Sequence, residues 1–435
     1  MLSSGRTGIL VASIGAVFAN LRGVSSQRII IVGGGAAGFF ASITCAEASP
    51  NAKVTLLEKG AHFLTKVRIS GGGRCNVTHS CFDVRELSVR YPRGSRALIG
   101  IFNRFQPKDT IEWFVARGVE LKTEADGRMF PTTDNSQTII DCLTRAAREA
   151  GVELRTNCGV ESAKRRDGGG FDATLSNGET IACDRLLLAT GGCRAVAVGQ
   201  LAASLGHTLE PPVPSLFTFH IDTPWLRELP GVSVGMVEAN VPGARLRERG
   251  PLLVTHWGLS GPVVLRLSAW GARELAARDY KFPLQLNWLP HLTVEAVTAE
   301  LQRQKKANPA RSIVNGSLPP LPSRLWEQLV LASGIKPITR WAELSAALQH
   351  QLVQQLTRSE FPVTGKSLNK DEFVTCGGVR LGEVNFKTME SRACPGLHFA
   401  GELLDIDGIT GGFNFQACWT TGWIAGRAMA GTGAT

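Results

Sequence analysis

Apolar positions follow two patterns along this chain. One is the short, unbroken run: Arg28 to Val32 (RIIIV), Lys53 to Glu58 (KVTLLE) and Arg185 to Thr190 (RLLLAT). Such runs mark strands buried on both faces of a parallel sheet. The other is helical spacing. Pro107 to Arg117 (PKDTIEWFVAR) carries proline in its first turn and Ile111, Phe114 and Val115 on one face. Asn135 to Ala150 reads as a further helix ended by Gly151, and Ala36 to about Ala48 as one that stops before Pro50. The strand, helix and strand from Arg28 to Glu58 form one βαβ unit with its strands side by side.

Val152 to Leu154 opens a strand region. Three strands, near 160–163, 171–175 and 180–182, are separated by turns at Asp167-Gly168 and Asn177-Gly178. Pro211, Pro212 and Pro214 then mark an exit from this first domain. From about Ser215 to Gly365 the pattern is short β segments followed by a polar helical stretch. It includes a dense turn at 254–262 (VTHWGLSGP), a polar linker from Lys305 to Pro322 and a helix from Trp341 to Thr357. Near Val374 the chain returns to strands and glycine turns. Leu397 to Gly426 reads as a buried strand, a carboxylate, a glycine-rich loop and a small-residue helix. The fold class is α/β: residues 27–212 and 366–435 form one nucleotide-binding domain, interrupted by a β-rich insert at 213–365.

Composition adds little to that picture. A chain of 435 residues with 43% hydrophobic content can bury large cores. The net charge of +10 lies in small clusters, such as Lys164-Arg165-Arg166 and Lys305-Lys306, with no aromatic interleaving, so they read as solvated surface and nucleic acid is not the expected partner. The ten cysteines form no C-x-x-C pair and no metal-ligand spacing, which argues against a metal site and for small buried thiols in a reducing compartment. Residues 1–26 stand apart. They are free of acids, rich in serine and dotted with arginine, as in an organellar transit peptide of a mitochondrion or plastid. A secretory segment, a disordered start or a start codon placed too far upstream are the alternatives, and without targeting the chain is expected in the cytoplasm. The apolar run from Gly8 to Leu21 is too short to span a bilayer.

The chemistry concentrates in glycine loops. G-x-G-x-x-G occurs at Gly33, Gly35 and Gly38, opening a helix through Ala36 and Ala37. In such a motif the first glycine makes the turn, the second admits a pyrophosphate and the third lets helix and strand pack. Glu58, with Lys59 beside it, ends the second strand 25 residues after Gly33, where a carboxylate can accept ribose hydroxyls. Three further features favour FAD over NAD. They are Ser70-Gly71-Gly72-Gly73-Arg74 with Cys75 and Asn76, Ala189-Thr190-Gly191-Gly192, and Gly401-Glu402 followed by Gly411-Gly412-Phe413-Asn414. A helix starting near Phe413 would aim its N–H groups at the flavin edge that becomes anionic on reduction.

Several longer segments carry a resemblance: IIIVGGGAAGFFAS, KVRISGGGRCNVTH, DGRMFP, LLLATGG, GPLLVTHWGLSGPVVLRLSAW, FPVTGK, VTCGGV and NFKTMESRACPGLHFAGELLDIDGITGGFNFQACWTTGWIAG. With these the chain resembles the YhiN/BaiN-like flavoprotein family, also labelled aminoacetone oxidase family FAD-binding enzymes, from about Arg28 to Gly426. The resemblance implies a Rossmann-type FAD-binding domain interrupted by a β-rich insert. It also implies FAD contacts at Gly33, Gly35, Gly38, Glu58, Arg74, Cys75, Asn76, Gly401, Glu402 and 412–414. One branch of that family reduces unsaturated bile-acid intermediates. The chain departs from the family after ATGG, where it runs CRAVAVGQLAASLGH.

The expected function is an FAD-dependent oxidoreductase that passes hydride, from NAD(P)H as a transient reductant or from an organic donor, to a small unsaturated or carbonyl-containing molecule. His256, beside Trp257, is the acid/base candidate. Arg68, Arg128, Asp405 and Asp407 are candidates for a substrate carboxylate or for ion pairs, and Cys376 for a buried thiol near the cofactor. No second G-x-G-x-x-G is present for tight NAD(P)H binding. The competing readings are an RNA-associated flavoprotein of the tRNA-modifying kind and a flavin-binding protein without turnover.

Overall fold

The computed structural model describes residues 26–193, 196–367 and 374–432. The candidate targeting segment therefore lies outside the described residues except for Ser26. A seven-stranded sheet carries the molecule. Its order from one edge is Val384–Asn385, Glu390–Ser391, Leu397–Phe399, Arg185–Leu188, Arg28–Val32, Lys53–Leu57 and Glu153–Arg155. The last five of these are mutually parallel. Ile29 to Val32 and Val54 to Leu57 are all buried, so both faces of the sheet are covered, as the apolar runs predict. The strands Val160–Arg165, Phe171–Leu175 and Thr180–Cys183 form a separate antiparallel sheet.

The chain from Phe219 to Lys366 closes a six-stranded antiparallel barrel, an insert in the α/β unit. Here burial alternates along each strand. In Ser359–Lys366, Ser359, Phe361 and Val363 face in while Glu360, Pro362 and Thr364 face out. Its core, with Trp288, Trp326 and Trp341, is separate from the core under the parallel sheet. Pro211, Pro212 and Pro214 lie within the strand Leu209–Ser215, paired with Val374–Val379 through an irregular register between Glu210 and Val213 that accommodates residues lacking N–H groups. Two sequence expectations change in detail. Lys305 belongs to the helix Val294–Ala307 rather than to a linker. The stretch from Trp341 splits into a 3-10 turn, Trp341–Glu343, and a helix, Ala346–Thr357.

The helices Ala36–Ala48 and Phe413–Met429 pack at backbone distance. A Cβ on Gly422 would stand 2.6 Å from the Ala37 carbonyl, and one on Gly426 2.6 Å from that of Ala41. Those two contacts align the helices in parallel. At 1.5 Å per residue, the later helix then begins about 12 Å beyond the earlier one along their common axis. Both helix starts open on the same cavity.

Arginine contacts hold the barrel on the sheet-bearing unit, one through a buried ion pair and one through a partly exposed pair. Arg93 pairs with the fully buried Asp407 and donates to the Ala269 carbonyl, and Ser215 Oγ donates to Asp407 Oδ2 at 2.6 Å. Arg273 reaches Asp405 at 2.8 Å. Asp405 and Asp407 are thus structural partners of arginines. Among the described residues no helix is long and apolar enough to cross a membrane, and no group of side chains could hold a metal ion. All ten cysteines are free thiols and nine are buried.

Candidate functional site

The cavity encloses about 680 Å³ between the parallel sheet and the barrel, within the range of cofactor and substrate sites. At one end stands the glycine turn after the first strand. Gly33 has φ +110°, and a Cβ there would lie 2.3 Å from the Ala189 carbonyl. A Cβ on Gly38 would lie 1.9 Å from the Gly33 carbonyl. These two glycines exist for packing. Gly35 is different: a Cβ added there meets nothing within 4 Å, so this position looks onto open cavity. No side chain caps the helix that follows, which leaves the N–H groups of its first turn for a ligand. Glu58 stands beside it, its Oε2 accepting from Gly34 N–H at 2.8 Å and its Oε1 from Gly60 N–H at 2.7 Å.

At the other end, Gly412 (φ +91°) starts the last helix. The Asn76 amide accepts from Gly412 N–H and donates to the Thr78 carbonyl. Asn414 clamps Gly408 with two hydrogen bonds, 2.8 and 2.9 Å. Glu402 accepts from Thr375 N–H at 2.7 Å and from Lys66 Nζ at 2.6 Å. Thr190, between the two ends, has a buried hydroxyl with no partner among the described residues.

Most of the sequence candidates converge here. Gly33, Gly35, Ala36, Ala37, Glu58, Asn76, Thr190, Gly191, Gly401, Glu402, Gly411, Gly412 and Asn414 all line the cavity, and so does Arg128. The other candidates do not. Gly38 lies behind the turn. Lys59 is exposed and packs against Gly159. Arg74 is drawn off by Glu124 at 2.7 Å and stacks on Phe130 at 4.0 Å. Cys75 is buried beneath the loop, where desolvation pushes its thiol up to about 12. Phe413 turns inward against His79, with ring centroids 4.7 Å apart. His256 is exposed on the turn between Leu246–Thr255 and Gly258–Ser260. His256 and Trp257 are the two residues of a tight turn closed by the pairing of Thr255 with Gly258, and of the two only Trp257 lines the cavity. Arg68 is exposed and bonded to Gln137, while Cys376 is buried away from the lining, its thiol pushed up to about 11 by desolvation.

The residues that sequence reasoning missed include a barrel-side group: Leu216, Thr218, Thr255, Trp257, Ser260 and Leu265. Lys66 was missed as well. It sits one helical turn before Ser70, and both residues line the cavity, so helical spacing ahead of the glycines is the signal that could have found it.

Comparison with known proteins decides what this geometry belongs to. Residues 27–428 match the family described as HI0933-like protein Rossmann domain. The chain belongs to the HI0933-like family. It is an FAD-dependent oxidoreductase. An Escherichia coli ribosomal RNA dihydrouridine synthase is 33% identical over 92% of this chain and 97% of its own length. A Clostridium scindens 3-dehydro-bile acid delta(4,6)-reductase is 29% identical over 93% of this chain and 99% of its own length. The fold of this HI0933-like flavoprotein is also that of a flavocytochrome c3 fumarate reductase in its open conformation. That likeness has a TM-score of 0.50 at 17% identity, over 95% of this chain and 80% of the other.

Proposed function

We propose that this flavoprotein reduces a carbon–carbon double bond conjugated to a carbonyl, with NADH or NADPH as the electron source. FAD, when bound, supplies two-electron hydride chemistry. The residues present fit it: two staggered, ligand-facing helix starts, the carboxylates of Glu58 and Glu402, and the unpartnered hydroxyl of Thr190. Glu58 would hold the adenosine ribose, the turn from Gly33 to Ala37 the pyrophosphate, and the segment from Gly411 to Asn414 the isoalloxazine edge. The N-terminal dipole of the last helix stabilises negative charge that develops there.

The observation that carries the substrate class is the lining beyond those elements. Among the described residues, everything the barrel and its flanks contribute, from Leu216 to Ser367 and at Val374, is uncharged. An apolar lining with hydroxyls suits a neutral, conjugated carbonyl compound and not a carboxylate or amine. The two relatives support the reading, because both of their names describe saturation of a double bond conjugated to a carbonyl, in a bile acid and in a uracil ring. Uridine within RNA is the second reading, favoured by the more identical of the two relatives and by the net charge of +10.

The test is anaerobic spectroscopy of the purified yellow protein. NADH or NADPH should bleach the flavin, and a steroidal enone, cyclohexenone or a uridine-containing ribosomal RNA fragment should restore its colour and emerge saturated. If only the RNA restores it, with binding that falls steeply with salt, the second reading stands. Colour restored by none of the three would remove both.

A further inference from the structure

The hairpin turn at Thr255–Gly258 is fixed more firmly than an exposed turn needs to be. The Trp257 carbonyl accepts from Ile221 N–H at 3.0 Å. Gly258 has φ +146°, and a Cβ there would lie 2.3 Å from the Phe219 carbonyl and 2.7 Å from Ile221 N. No other residue type fits that close approach. The result is an indole held at the cavity with 41% of its surface exposed. A large aromatic group that folding has left half-bare, on a rigid backbone, is a poor core element and a good stacking surface.

Two hydroxyls accompany it. Thr255 lies two residues earlier and lines the same cavity. Thr218 precedes the strand Phe219–Ile221, which pairs with Gly258–Ser260. Both threonines line the cavity, and each has a buried hydroxyl oxygen with no hydrogen-bond partner among the described residues. Buried hydroxyls are normally paired, so two unpaired ones on the rim of the barrel call for ligand groups that accept.

We propose that this barrel rim is the acceptor-binding platform of the enzyme: Trp257 stacks on the planar conjugated system, and Thr218 and Thr255 serve as donors to separate polar groups of the same molecule, its carbonyl oxygen among them. The inference rests on the enone reading above and names the residues that give it specificity. A donor at the carbonyl oxygen withdraws electron density from the conjugated double bond and stabilises the enolate oxygen that forms as hydride reaches the β-carbon. Stacking supplies affinity without regard to the rest of the molecule. The pair of threonines thus governs rate and the indole governs binding.

The experiment uses the flavin-loaded full chain and two probes, cyclohexenone and a steroidal enone. Their dissociation constants are measured by titration calorimetry on the oxidised protein, and their reduction by steady-state kinetics. Trp257→Leu should weaken binding of both probes and raise KM about tenfold with kcat nearly unchanged, and Trp257→Phe should recover most of the loss. The double variant T218V/T255V should lower kcat by about a hundredfold with KM little moved, and T218S/T255S should restore it. Flavin content and melting temperature should match the parent in all four. Variants that bind and turn over within twofold of the parent would overturn the assignment, as would loss of flavin from Trp257→Leu or from T218V/T255V, which would make these residues cofactor contacts. A parent protein that reduces neither probe overturns the enone reading itself, a different outcome from a parent that does and variants that match it.

Discussion

The two helix starts that face the cavity do the same electrostatic work by opposite means. The one at Ala36 is built mainly from backbone: a Cβ on Gly33 or Gly38 would stand 2.3 or 1.9 Å from a carbonyl, nothing caps the helix, and the one side-chain bond to the turn comes from Glu58 to Gly34 N–H. The one at Phe413 is held by side chains from distant parts of the chain. Asn76 bonds Gly412, Asn414 clamps Gly408, and the Trp419 indole donates to the Val77 carbonyl at 2.9 Å. A motif that depends only on glycine spacing can be recognised in isolation. A loop that depends on long-range hydrogen bonds cannot, although both present N–H groups to a ligand.

The sharpest way to break that contrast is inside the first turn. Gly38→Ala should cost about 3 kcal/mol or more, because its methyl meets backbone that cannot move aside. Gly35→Ala should melt within about 1 kcal/mol of the parent yet purify without flavin, since its methyl enters open cavity. Thermal melts of the flavin-free proteins and the flavin-to-protein ratio separate the two. Equal melting of both variants would sink the distinction.

A second test concerns the strand that leads into the later site. His398, on Leu397–Phe399, is buried, and desolvation lowers it from 6.5 to about 4. The unfolded chain therefore binds a proton across that window which the folded one refuses, and stability falls as pH drops from 6.5 toward 4. The loss approaches about 3 kcal/mol over the whole interval. His79 and His207 are lowered in the same direction by burial. His398→Asn should flatten the slope of unfolding free energy against pH; an unchanged slope would assign the acid sensitivity elsewhere.

Smaller effects are expected at the side chains of the later start. Asn414→Ala removes both bonds to Gly408 and should cost about 1–2 kcal/mol with weakened flavin retention, read by denaturant titration and ultrafiltration. Lys66→Ala should change stability least, by less than about 1 kcal/mol, because the lysine is mostly exposed and Glu402 keeps its bond from Thr375 N–H. A larger loss there would show the ion pair to be structural.

What could be read from the chain follows the same division. The first βαβ unit, the helices from Pro107 and near Asn135, and the three-stranded sheet after Val160 are all present as read, because each is fixed by local apolar spacing and turn residues. Arg74 could not be placed from sequence: its partners Glu124 and Asp134 are 50 and 60 residues away, and their pull outweighs a cavity that only looks near in the one-dimensional chain. His256 is a candidate if the insert delivers it to the flavin, but in the structure it is the exposed residue of a two-residue turn whose other member, Trp257, lines the cavity.

By itself the sequence determined an α/β nucleotide-binding fold with two glycine-rich helix starts, since glycine spacing and buried apolar runs act through nearest neighbours and leave few conformations open. Only the tertiary structure decided that the starts are parallel and staggered, that Asp405 and Asp407 serve arginines, and that the barrel offers Trp257 and two unpaired threonines to the cavity. Those outcomes depend on contacts between residues far apart in the chain, where the balance of packing, burial and charge is struck only once the whole molecule has closed.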